Sequence, residues 1–83
     1  MLILQKKQVQ KTKIYEKDGG YVKALEDFHS LELTNIMEIT IGKMGTLADG
    51  RTVNVRIESS DEKRPTLEIY SHLNRRSLKI RYN

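Results

Sequence analysis

The chain contains no cysteine, which excludes disulfides and thiolate metal ligands. Compartment stays open on that ground, because a secreted protein need not use disulfides. No apolar run is long: Met1–Leu4 is too short for a signal peptide or a membrane span, so the chain reads as soluble, with no membrane span and no address of its own. A glycine-rich phosphate loop is missing, as are a His/Cys/Asp set at ligand spacing and a Ser-His-Asp set, so neither a metal nor a cofactor is expected. There are only two histidines. His29 falls on the outer side of a helix-like segment and His72 in a turn, which suits surface histidines better than an acid–base pair. No internal repeat or low-complexity tract is present.

What remains is one small basic domain. Eighty-three residues lie near the lower size for a self-sufficient core, where only about sixty per cent of the chain's surface is buried. Marginal stability, or help from a partner, follows from that size. The net charge of +4 is laid out unevenly. Residues 1–13 hold four lysines and no acid, residues 14–42 are net acidic, and residues 43–83 are net basic. A basic sheet suits a polyanion, nucleic acid being the commonest, although many small basic domains are merely soluble.

Alternation in the last third sorts side chains onto two faces. Val53, Val55 and Ile57 alternate with Thr52, Asn54 and Arg56; Leu67 and Ile69 with Thr66, Glu68 and Tyr70; and Leu78, Ile80 and Tyr82 with Lys79, Arg81 and Asn83. Upstream, Tyr21 to Leu31 reads as a short helix whose stripe is Val22, Leu25, Phe28 and Leu31, beside Ala24. Met37, Ile39 and Ile41 indicate a first strand ending at Gly42. Around Asp49-Gly50, a three-residue loop with Gly50 left-handed pairs Leu47 with Arg51 and keeps Leu47 on the apolar face. The polar connection 58–65 ends in Pro65, harmless just ahead of a strand. Residues 1–18 fit a strand, a frayed helix or a linker, and are taken as linker or upstream extension ahead of a single domain over 19–83. The expected fold class is α+β: an N-terminal helix on one face of a four- to five-stranded antiparallel sheet. Val22, Leu25 and Phe28 would pack on Ile39, Val53, Val55, Leu67, Ile69 and Ile80.

The polar face then collects Arg56, Glu68, Lys79 and Arg81. RNA is cleaved without a metal when its 2′-hydroxyl attacks the adjacent phosphate, which needs a base, an acid and cations near the phosphorane. Glu68 is the candidate base, with Arg56, Lys79 and Arg81 as phosphate-holding cations. Thr66 and the Ser59-Ser60 pair are candidate hydrogen-bond donors, Tyr70 a stacking platform, and Arg64 a cation aimed at the same face. The structural alternative is a Glu68 that simply pairs with a cross-strand arginine.

Taken as a unit, GGYVKALEDFHSL (19–31), GTLADGRTVNVR (45–56), SSDEKRPTLEI (59–69) and LKIRYN (78–83) resemble the C-terminal toxin modules of bacterial polymorphic toxins with LXG, RHS-repeat and filamentous-haemagglutinin carriers. There a GG…DF-x-SL helix precedes G-x-LPDGR-x-V-x-VR, SS-x-GRPTLEI and a terminal KIRY. Arg56, Ser59-Ser60, Arg64-Pro65-Thr66 and Lys79-Ile80-Arg81-Tyr82 carry the likeness most specifically. Two departures stand out: His29 replaces an acidic residue, and Asp61-Glu62-Lys63 a glycine-containing loop. The resemblance implies a ribonuclease toxin of the barnase/EndoU/colicin/RelE-like group, acting on RNA (tRNA among the candidates). It would work in the cytoplasm of a target bacterium, delivered within a larger secreted protein and restrained by a cognate immunity protein. The alternatives are a non-catalytic RNA-binding module and a protein-interaction domain using the same basic sheet face.

Overall fold

The structure, a computed structural model, describes residues 12–58 and 63–83. Its elements are β1 (Thr12–Lys17), α1 (Gly20–Ser30), β2 (Thr34–Ile39), β3 (Gly42–Thr46), β4 (Thr52–Arg56), β5 (Thr66–Ser71) and β6 (Arg76–Tyr82). One sheet holds all six strands in the order β1-β6-β5-β4-β3-β2, with β1 parallel to β6 and every other pair antiparallel. The expected four- to five-stranded antiparallel sheet is therefore corrected to a six-stranded mixed sheet carrying one short helix, and a strand precedes that helix.

Both additions lie where hydrophobic alternation is weak. Strand β1, within the stretch taken as linker, is an edge strand exposed almost throughout. Its place depends on backbone pairing to β6 rather than on a buried face. Strands β2 and β3 form a hairpin turning at Thr40-Ile41, so the apolar alternation of Met37, Ile39 and Ile41 runs straight through a turn. Strand β3, GKMGT, has two glycines and little of a strand's composition. Gly42 is nonetheless required, since a Cβ there would overlap the Val55 carbonyl on β4. Gly42→Ala is expected to cost about 1–3 kcal/mol, read as a lower urea midpoint with an unchanged slope.

Helix α1 packs on β4, β5 and β6. Ala24 and Phe28 are fully buried against Val53, Val55, Leu67 and Tyr82, with Tyr21, Leu25, Leu31, Leu33, Leu47, Ile69 and Ile80 around them. Val22, expected on the stripe, is 70% exposed. Strict three-residue steps slip by about 60° each on a 3.6-residue helix, so a Val22-25-28-31 line winds around it. Tyr21, Ala24, Leu25, Phe28 and Leu31 hold the inner face instead. Ile39, also expected in the core, is in register with Gly42 and hence with Arg56, on the opposite face.

The helix is tied to the sheet at its start. Gly19 and Gly20 have φ of 118° and 61°, and both N–H groups donate to the Asn83 carbonyl at 3.2 and 3.1 Å. Tyr82 Oη and Lys17 Nζ both donate to Asp27 Oδ2 at 2.8 Å, joining β6, β1 and α1. Partial burial alone would raise the Asp27 carboxyl. The bonds from Lys17 and Tyr82 and the charges of Lys17 and Lys23 outweigh burial and hold it below the usual carboxylate range. Burial, then the bond to Asp27 and its charge, push the Tyr82 phenol up. A carboxyl depressed by folding adds stability that is complete above its unfolded pKa and is lost as pH falls through its folded pKa. Stability should therefore decline below about pH 4. Tyr82→Phe is expected to cost about 1.5–3 kcal/mol at pH 7 and to flatten that acid decline, as followed by urea titrations at pH 7, 4 and 3.

The β3–β4 connection is the expected three-residue loop. Leu47 N–H donates to Arg51 O and Gly50 N–H to Leu47 O, each at 2.9 Å, with Gly50 at φ 95°. Leu47 packs against the core.

Candidate nucleic-acid interface

On the face away from α1, the strand register lays the side chains in three rows. Across β2 to β1, the first runs Thr34, Thr46, Thr52, Tyr70, Ser77, Thr12. The second runs Met37, Met44, Asn54, Glu68, Lys79, Ile14, and the third Ile39, Gly42, Arg56, Thr66, Arg81, Glu16. Arg56, Glu68, Lys79 and Arg81, from three adjacent strands, thus share the open face. Period two on a meander with one covered face is what brings them together.

Glu68 sits at the centre and is engaged twice. Its Oε1 faces Arg56 Nη2 at 3.5 Å, and its Oε2 accepts a bond from Ser77 Oγ at 2.9 Å. The two charged side chains keep only 23% (Arg56) and 17% (Glu68) of their surface exposed. Beside them, Arg56 Nε and Asn54 Oδ1 are buried and find no hydrogen-bond partner among the described residues. Lys79, opposite Glu68 on β6, makes no ion pair or side-chain hydrogen bond among the described residues. It is a partly exposed cation able to meet an anion.

Arg81 and Thr66 differ from expectation. Arg81 is 1% exposed and donates from Nη1 to Thr66 Oγ1 at 3.1 Å, while Thr66, fully buried, donates to Arg64 O at 3.0 Å. Neither side chain reaches the surface, so in this arrangement neither touches a substrate; both act by holding the third row in place. Arg64 lies at that row's β1 end, donating from Nη1 to Asn83 Oδ1 at 2.7 Å, with Nη2 3.6 Å from Glu16 Oε2. Tyr70 meets His72 edge to face, ring centroids 4.7 Å apart, and His72 Nε2 lies 2.9 Å from Thr52 Oγ1. His72, exposed in the β5–β6 turn, is thus also a neighbour of the stacking candidate. Ser59 and Ser60 lie outside the described residues.

Ser77 and Asn54 join the site beyond the expected residues, and both lie on the face's period-two pattern, Ser77 two positions before Lys79 and Asn54 two before Arg56. The exposed apolar members Ile14 and Met37 have no clear sequence signal, because β1 has no buried side to set its period and the Met37–Ile41 alternation crosses the β2–β3 turn. The face as a whole offers Lys79 beside the Arg56–Glu68 pair at its centre, with apolar and hydroxyl flanks, a surface suited to phosphate contact and base stacking.

Among the described residues, no group of three or more His, Asp or Glu side chains is placed to hold a metal ion, and no helix is long and apolar enough to cross a membrane. Compared with protein-family models, curated proteins and solved structures, the chain has no match.

Proposed function

We propose that the open face binds RNA and cleaves it without a metal, as the toxin domain of a larger secreted bacterial protein. The observation that carries this reading is the meeting of Arg56, Glu68 and Lys79 on the uncovered face, beside polar atoms of Asn54 and Arg56 that have no partner among the described residues. An incoming phosphate takes the Arg56 guanidinium in a two-pronged contact, which releases Glu68. Glu68 accepts the 2′-hydroxyl proton, the 2′-oxygen bonds to phosphorus, and the bond from phosphorus to the 5′-oxygen breaks. Lys79 supplies the proton that the leaving oxygen takes. Arg81 and Thr66 are positioning residues, Tyr70 stacks a base, and a cognate immunity protein covers the face until delivery into a target cytoplasm.

Induced expression in a bacterium tests the reading. Growth arrest with discrete fragments of total RNA, tRNA among them, is expected, and intact RNA in arrested or growing cells contradicts it. One observation favours a second reading, RNA binding without cleavage: both Glu68 oxygens are already engaged by the chain itself. In that case binding weakens linearly in log salt and no product forms.

A further inference from the structure

The helix side of the sheet carries a second feature, which shares only Ser77 with the Glu68 site. Where α1 does not reach, two rows cross the end of β4, β5, β6 and β1. Ile69, Leu78 and Lys13 are in register in one. In the other, Ser71 pairs with Arg76, and Arg51, the residue before Thr52, lies beside them. Together they line a cavity of about 280 Å³. The first row gives it an apolar floor and the second a cationic rim.

Charge narrows the ligand. Lys13, Arg51 and Arg76 all line the cavity, and no carboxylate does among the described residues. Arg51 is bonded through Nε to Asp49 Oδ2 at 2.9 Å, whereas Lys13 and Arg76 make no ion pair among the described residues. Two positive charges thus remain uncompensated at one small cavity. A phosphate monoester carries about −1.5 to −2 at pH 7, and an arginine fork matches its oxygens. The floor of Ile69 and Leu78 provides for a flat apolar body, and the volume lies just under the roughly 300–1,000 Å³ of small-molecule sites, room for one such body.

We infer that this cavity binds a phosphate monoester on a flat ring, the chemistry of a nucleoside monophosphate, with Arg76, Lys13 and Arg51 on the phosphate and the ring over Ile69 and Leu78. The ligand is either a free nucleotide or the phosphorylated end of an RNA. Because the site lies on the opposite face from Glu68, it stands whether or not the chain cleaves RNA.

An NMR titration of the ¹⁵N-labelled 83-residue chain at low salt tests this, using AMP, adenosine and inorganic phosphate. AMP should give saturable shifts at the Lys13, Leu78 and Arg76 amides, with adenosine and inorganic phosphate each weaker by about tenfold or more. Arg76→Gln should weaken AMP about tenfold, and Lys13→Gln should do likewise if the first variant is unfolded. Lys43→Gln, which removes a β3 cation that does not line the cavity, should leave AMP binding unchanged. A 5′-phosphorylated dinucleotide binding more tightly than AMP identifies an RNA end as the ligand, and weaker binding identifies the free nucleotide. Absence of saturation with AMP, or unchanged affinity in a folded Arg76→Gln or Lys13→Gln variant, overturns the inference.

Discussion

Glu68→Gln is expected to lower RNA cleavage by on the order of 10²-fold or more, with the fold intact. Glutamine matches glutamate in shape and still accepts the Ser77 hydroxyl bond, so the row Asn54, Glu68, Lys79 is preserved. Only the basic oxygen is lost. Arg56→Gln removes the other half of the 3.5 Å pair and should cost roughly 10²–10³-fold, because a charge-stabilising contact to the phosphorane disappears. Removing one member of a pair whose side chains are only 23% and 17% exposed leaves a largely buried charge unpaired, so stability should also fall by about 1–3 kcal/mol. Activity and melting temperature measured on the same samples therefore separate chemistry from folding. Full activity in both variants would misplace the site. Weakened RNA binding in Arg56→Gln, with no cleavage by the native chain, would select the binding module.

Phe28→Ala should produce the largest loss of stability. Phe28 is the chain's only phenylalanine, is fully buried, and anchors α1 on β4, β5 and β6. Truncating a buried phenylalanine costs about 3–5 kcal/mol through lost transfer energy and the cavity left behind. A domain of 83 residues has only about 4–12 kcal/mol in total, at the usual stability per residue. The Tm should fall by at least about 10 °C, and part of the population should be unfolded at 37 °C. Val22→Ala, on the same helix but 70% exposed, should change Tm by only a degree or two, as surface substitutions do. Equal effects at the two positions would mean that α1 is rotated from the orientation described.

The legible parts of this fold are those where one face is buried and the other is wet. Strands β4, β5 and β6 meet that condition, so alternation placed Glu68 with Arg56, Lys79 and Arg81. The same rule fails at β1, where Ile14 and Tyr15, on opposite faces, are both half exposed and no period separates core from solvent. It also fails at β3, where Gly42 is selected by the nearness of the Val55 carbonyl, a tertiary fact with no local signature. Parallel pairing of β1 with β6 joins opposite ends of the chain and leaves no turn to read. At the site, period two assigns a face but not a depth. Arg81 and Lys79 look alike in sequence, yet one guanidinium turns inward to Thr66 while the ammonium beside it stays partly exposed. Asp27 gave no hint of its tie to Tyr82, fifty-five positions away.

The most direct measurement is product chemistry: the purified chain is incubated with a defined RNA in excess chelator, and the fragment ends are identified by mass spectrometry. Fragments bearing 2′,3′-cyclic phosphate and 5′-hydroxyl ends are the predicted result, absent or much reduced with Glu68→Gln. Intact RNA at low salt, or fragments with 3′-hydroxyl and 5′-phosphate ends, would contradict attack by the 2′-hydroxyl at the Arg56–Glu68–Lys79 patch.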